Sequence, residues 1–159
     1  MDNPPIGNAR ELAQRGAWRA AAKVCEDLVR SDGDDAETLL LWGRCLARLG
    51  RHPDAIGLLE RAAVLVEGQD AHRGLEVEIQ VELGFCARNT GRGLPAGRRR
   101  RWRERALDAY RRAAELAPED TRLLASVRQL EDALAATADP ARRASTDPAP
   151  GESAGAGTA

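Results

Sequence analysis

The sequence predicts an all-α fold built as an array of helical hairpins, and three observations predict it. Apolar residues recur at three- and four-residue steps, as in Leu39, Trp42 and Leu46 and again in Leu58, Leu59, Ala62 and Leu65. Small residues recur at a fixed interval: Gly16 and Gly50 lie 34 residues apart, and so do Ala21 and Ala55. Aromatic residues are only 3% of the 159, too few for the aromatic and β-branched surfaces that strands need, whereas Ala, Leu, Arg and Glu favour helices. The length suits one domain, expected over residues 1–138.

The elements follow in order. The first unit, about 4–33, carries Ala9 and Leu12, then Gly16, then Ala21, Cys25 and Leu28. Pro4 and Pro5 shorten its first helix, and Asn8 stands where a large apolar residue is expected. The second unit, about 36–68, reads Leu39, Trp42, Gly43 and Leu46, then Gly50, then Ala55, Leu59 and Ala62. The third, about 77–118, reads Gln80, Leu83, Gly84 and Ala87, then Gly91, then Ala106, Tyr110 and Ala113, and ends at Pro118. Small residues at Gly43, Gly84, Ala55 and Ala106 let two helix backbones approach closely. Gly16, Gly50 and Gly91 are expected as helix-ending glycines. From Ala55 to Ala106 the chain is 17 residues longer than one 34-residue period. The surplus is expected in a linker over 66–76 and in a basic insertion over 92–101. After Pro118, Asp120 is a candidate N-cap for a helix over 121–138 whose stripe is Leu123, Val127, Leu130 and Leu134. Arg128 and Glu131 fall where Gly43 and Leu46 sit, so this segment reads as a cap helix and not as a fourth repeat. Residues 139–159, rich in Ala, Pro, Gly, Ser and Thr, are expected to be a disordered tail.

With this period and register, the chain resembles the tetratricopeptide repeat family over roughly residues 4–118, as about three degenerate repeats. The resemblance implies a right-handed superhelix of hairpins. It also implies that the first helix of each pair lines a concave groove in which peptides bind. Carried over by register, that face holds Arg10, Gln14, Leu40, Arg44, Arg48, Val81, Phe85, Arg88 and Asn89. Arg88 is expected near Arg44 and Arg48. Arginines so placed would hold carboxylates, with Leu40, Val81 and Phe85 giving apolar contact. The Lys- and Asn-rich carboxylate clamp of some chaperone-binding members is not matched.

No residue set indicates catalysis. His52 and His72 are expected in a turn and a linker, solvated. Cys45 and Cys86 occupy equivalent sites and, with Cys25, read as small core residues, since three dispersed cysteines lack metal-ligand spacing. Gly91-Arg92-Gly93 runs into Leu94-Pro95, which is not a phosphate loop. The chain is therefore read as a non-enzyme with no cofactor and no metal. The 24 basic and 25 acidic residues nearly cancel, which disfavours a protein coated with nucleic acid or lipid over its whole surface. No stretch approaches a membrane span, no secretory signal is evident, and the odd cysteine count suits a cytoplasmic protein. One local cluster stands out: Arg98, Arg99, Arg100, Arg101, Trp102, Arg103 and Arg105. It reads first as a solvated loop and second as a surface for nucleic-acid or other phosphate. The function expected is an adaptor or scaffold that holds a partner protein or peptide with acidic groups. The alternatives are a nucleic-acid or phosphate-binding accessory protein acting through the basic cluster, and a non-catalytic regulatory subunit of a larger enzyme. Self-association is left open.

Overall fold

The computed structural model describes residues 5–138; the expected tail at 139–159 and Pro4 lie outside the described residues. Among those described there are seven α-helices and no strand. They are α1 (Pro5–Gln14), α2 (Trp18–Asp32), α3 (Ala36–Arg48), α4 (His52–Val66), α5 (Arg73–Thr90), α6 (Ala96–Leu116) and α7 (Thr121–Ala138), with a single 3₁₀ turn at Asp70–His72. Packing is between chain neighbours, each helix lying against the one before and the one after, and α3 also touches α1 and α5. This is the tetratricopeptide-like arrangement, in which stacked hairpins bury a core no single hairpin could close.

The turns explain the repeat. Gly16 donates to the Ala13 carbonyl and Ala17 to the Leu12 carbonyl, at 3.0 and 2.9 Å. Gly50 and Arg51 repeat the pair on Ala47 and Leu46 at the same distances. Both glycines have φ of 77°, so each closes its helix with the same left-handed cap. The third hairpin departs from this. Gly91 has φ of −71°, and the left-handed residue is Gly93, at 75°. Gly91 is needed for space instead, because a Cβ there would stand 2.9 Å from Trp102 Cβ.

Within the hairpins the close approaches lie at the expected glycines. A Cβ on Gly43 would meet Leu59 Cγ at 2.9 Å, and one on Gly84 would meet the Tyr110 ring at 2.8 Å. Leu39, Leu59, Ile79, Val66 and the three cysteines are the largest fully buried side chains. Asp35 caps α3 by accepting from the Thr38 amide at 2.9 Å and its hydroxyl at 2.8 Å. Asp120 caps α7 through the amides of Arg122 and Leu123. Leu123 and Leu130 of α7 are buried, while Arg128 is exposed and Glu131 pairs with Arg111 of α6.

The surplus length is where the expectation needs correcting. The insertion at 92–101 is a loop only over 92–95: α6 begins at Ala96 and runs 21 residues, against 15 for α4. The linker expected over 66–76 is confined to 67–72, since α4 ends at Val66 and α5 begins at Arg73 and runs 18 residues against 13 for α3. Arginine is a good helix former, so the basic run continues the helix. Trp102 seats the added turns against Gly91, and Arg99 donates to the Leu94 carbonyl at 3.2 and 3.0 Å.

Candidate functional site

The first helices α1, α3 and α5 lie side by side and enclose a cleft of about 650 Å³. Of the expected residues, Arg10 and Gln14 come from α1 and Leu40, Arg44 and Arg48 from α3. Ala13, Leu41, Leu75 and Trp18 complete its apolar lining, and Glu37, Glu78 and Glu82 complete its rim.

The charges on this rim are paired with each other. Arg10 is ion-paired with Glu37 across α1 and α3. Arg44 bridges α3 and α5, its Nε donating to Glu82 and its Nη2 to Glu78, both at 2.9 Å. Arg48 lies over the Trp18 ring, 5.9 Å from its centroid. The cleft therefore offers an apolar strip between neutralised ion pairs, and not the free basic surface that the arginines suggest in isolation.

Val81, Phe85, Arg88 and Asn89 lie outside this cleft. The reason is a stagger. Glu37, the partner of Arg10, lies seven residues before the repeat equivalent of Arg10, which is Arg44; Glu78, the partner of Arg44, lies seven residues before its equivalent, Phe85. Arg44's other partner, Glu82, lies three residues before Phe85, so successive first helices meet about one to two turns out of register. Val81 packs against the core, and Asn89 donates to the Phe85 carbonyl at 2.8 Å within its own helix. Phe85 meets His52 edge-on, with ring centroids 5.8 Å apart. Arg88 is in a second pocket with Arg92, Arg99 and Arg103 and does not join Arg44 and Arg48.

His52 is accordingly not a solvated turn residue. It opens α4 half-buried, its Nδ1 buried without a partner, and burial and the Arg92 charge lower its pKa from 6.5. His72 is exposed in the 3₁₀ turn. Burial raises all three thiols: Cys25 and Cys86 are pushed up to about 12, aided by Cys45 and Glu82 respectively, and Cys45 moves in the same direction. They are poor nucleophiles and poor metal ligands. Among the described residues no group of His, Cys, Asp and Glu could hold a metal ion, and no helix is long and apolar enough to cross a membrane.

The basic cluster is divided. Arg100 pairs with Glu104 at 2.8 Å, and Arg105 pairs with Glu60 of α4 and lies 5.2 Å from the Trp102 ring centroid. Arg98 and Arg101 are exposed, and Arg99 and Arg103 line the second pocket. The seven residues form no single face.

Glu37, Glu78, Glu82 and Trp18 are missed by repeat alignment. One signal for Glu78 was present, since it lies 34 residues after Arg44, one full period.

No family model matches the chain, and no curated protein matches it in sequence. Solved structures do. The crystal structure of PcrH from Pseudomonas aeruginosa is 20% identical, with a TM-score of 0.57 over 85% of this chain and 89% of that one. The structure of PcrH in complex with the chaperone binding region of PopD is 21% identical, with a TM-score of 0.59 over 87% and 90%. At this identity the likeness is one of fold: this chain is a tetratricopeptide-like helical repeat, similar in architecture to PcrH.

Proposed function

We propose that this protein is a non-enzymatic adaptor that holds a segment of a partner protein in the cleft between α1, α3 and α5. The observation that carries the reading is the cleft itself: an apolar strip of Leu41, Leu75 and Trp18, open to solvent and flanked by matched charges. Burying such a strip against an apolar side chain yields ~25 cal/mol per Å² of apolar surface. The polar rim then sets direction and register more than affinity. Because Arg10 and Arg44 already have carboxylate partners, an acidic segment would have to displace them. The occupant fitted best is an apolar segment of mixed charge, not the acidic one expected from sequence. The likeness to PcrH, a protein solved with the chaperone binding region of PopD, supports a peptide-holding role. Three free, buried thiols suit a cytoplasmic setting.

The test is capture of protein partners from a native lysate by wild type, Leu41→Asp and Val64→Asp. Val64 is 73% exposed and outside the cleft. The expected result is loss of the bound set with Leu41→Asp and retention with Val64→Asp. A bound set unchanged by Leu41→Asp overturns the reading.

A further inference from the structure

Most arginines facing a neighbouring helix meet a carboxylate, as Arg10, Arg44, Arg105, Arg111 and Arg112 do. Arg48 instead stacks on Trp18 and Arg73 donates to the Leu116 carbonyl, and four more converge on one place. A pocket of about 310 Å³ opens between the end of α5, the first turns of α6 and the middle of α7. Arg88, Arg92, Arg99 and Arg103 face it, with Gln129 and Leu130 opposite, and no lining residue is acidic. The side chains of Arg88, Arg92 and Arg103 have no ion pair and no hydrogen bond, and Arg88 Nε is buried without an acceptor. Four like charges lining one small pocket with no acidic residue among them are unfavourable, and so is a buried donor without an acceptor. Folding alone does not account for this arrangement.

We propose that the pocket binds a phosphate-class oxyanion, with the guanidinium groups of Arg88, Arg92 and Arg103 as its free donors and Arg99, whose Nε and Nη2 already donate to the Leu94 carbonyl, adding its charge and its remaining N–H groups. Guanidinium is planar, permanently charged and matched to phosphate oxygens in pairs. A single carboxylate would neutralise one of the four charges, whereas a diphosphate neutralises most of them. The volume is at the low end for small-ligand sites and exceeds what one phosphate fills. The source is either free pyrophosphate or the diphosphate of a nucleotide. The site is separate from the groove and stands or falls without it.

The experiment is isothermal titration of the full chain with pyrophosphate and with ADP, at low and at physiological salt. The expected result is one saturable site that weakens as salt rises. Arg99→Ser with Arg103→Ser should weaken it by about tenfold or more. Arg98→Ser with Arg101→Ser removes the same charge outside the pocket and should leave it unchanged. Gln129→Glu removes no donor; by setting a carboxylate against the arginines it should weaken binding and raise the melting temperature by about 2 °C. Tighter binding of ADP identifies a nucleotide, and equal binding identifies free diphosphate. Absence of saturable heat up to ~10 mM, or equal losses in the two double variants, overturns the proposal.

Discussion

Gly84 and Gly57 are both helical glycines, yet substitution should act on them in opposite directions. A Cβ at Gly84 would press on the Tyr110 ring, which is itself buried and unable to yield. Gly84→Ala should therefore cost ~1–3 kcal/mol in urea unfolding. Gly57 has no atom within 4 Å of where its Cβ would be, so Gly57→Ala should stabilise by ~0.4–1 kcal/mol. The cysteines make a second residue-level prediction. With their thiols raised by burial, all three should resist a thiol reagent in the native state and react together on unfolding. His52 makes a third. Its folded-state pKa lies below the unfolded value of 6.5, so the unfolded chain takes up the proton first as pH falls. The stability tied to neutral His52 is then lost as pH drops through that value. Urea midpoints measured from about pH 7 to 5 should fall less steeply in His52→Gln than in wild type.

At the scale of elements, the repeat is a property of its turns and close contacts, and these were the legible part. Gly16 and Gly50 announce identical caps because a left-handed residue is needed and glycine supplies it at least cost. Gly43 and Gly84 announce where backbones approach. Gly91 looks the same in sequence but serves Trp102 packing, while Gly93 makes the reversal; glycine identity alone does not separate the two roles. The longer α5 and α6 were illegible for a related reason. Arg98–Arg101 carry helix propensity but no apolar stripe, and the contacts that hold them as helix, Trp102 against Gly91 and Arg99 on the Leu94 carbonyl, are tertiary or local to the fold. Caps are local and easier to test. Asp35→Ala should cost ~1 kcal/mol, since it removes the acceptor for the Thr38 amide at the head of α3.

At the scale of the whole molecule, the stagger between successive first helices decides which residues share the cleft. Alignment by equivalence places Arg44 beside Phe85 and Arg88, whereas the fold places it beside Glu78 and Glu82. The residues of α1 and α3 were legible because they follow their own helix faces. The α5 side was not, because its register depends on how one repeat rises over the next. Arg10 and Arg44 of the groove meet carboxylates across helices, whereas none of the four arginines lining the pocket at the far end of α5 does. The central claim is that the face shared by α1, α3 and α5 grips a protein segment, and the most direct measurement is site-specific photocrosslinking. With a photoreactive residue at position 41, then at position 64, the account predicts that crosslinks to a defined peptide of the partner form only from position 41. Crosslinks from position 64 alone, or equal yields from both, would contradict it.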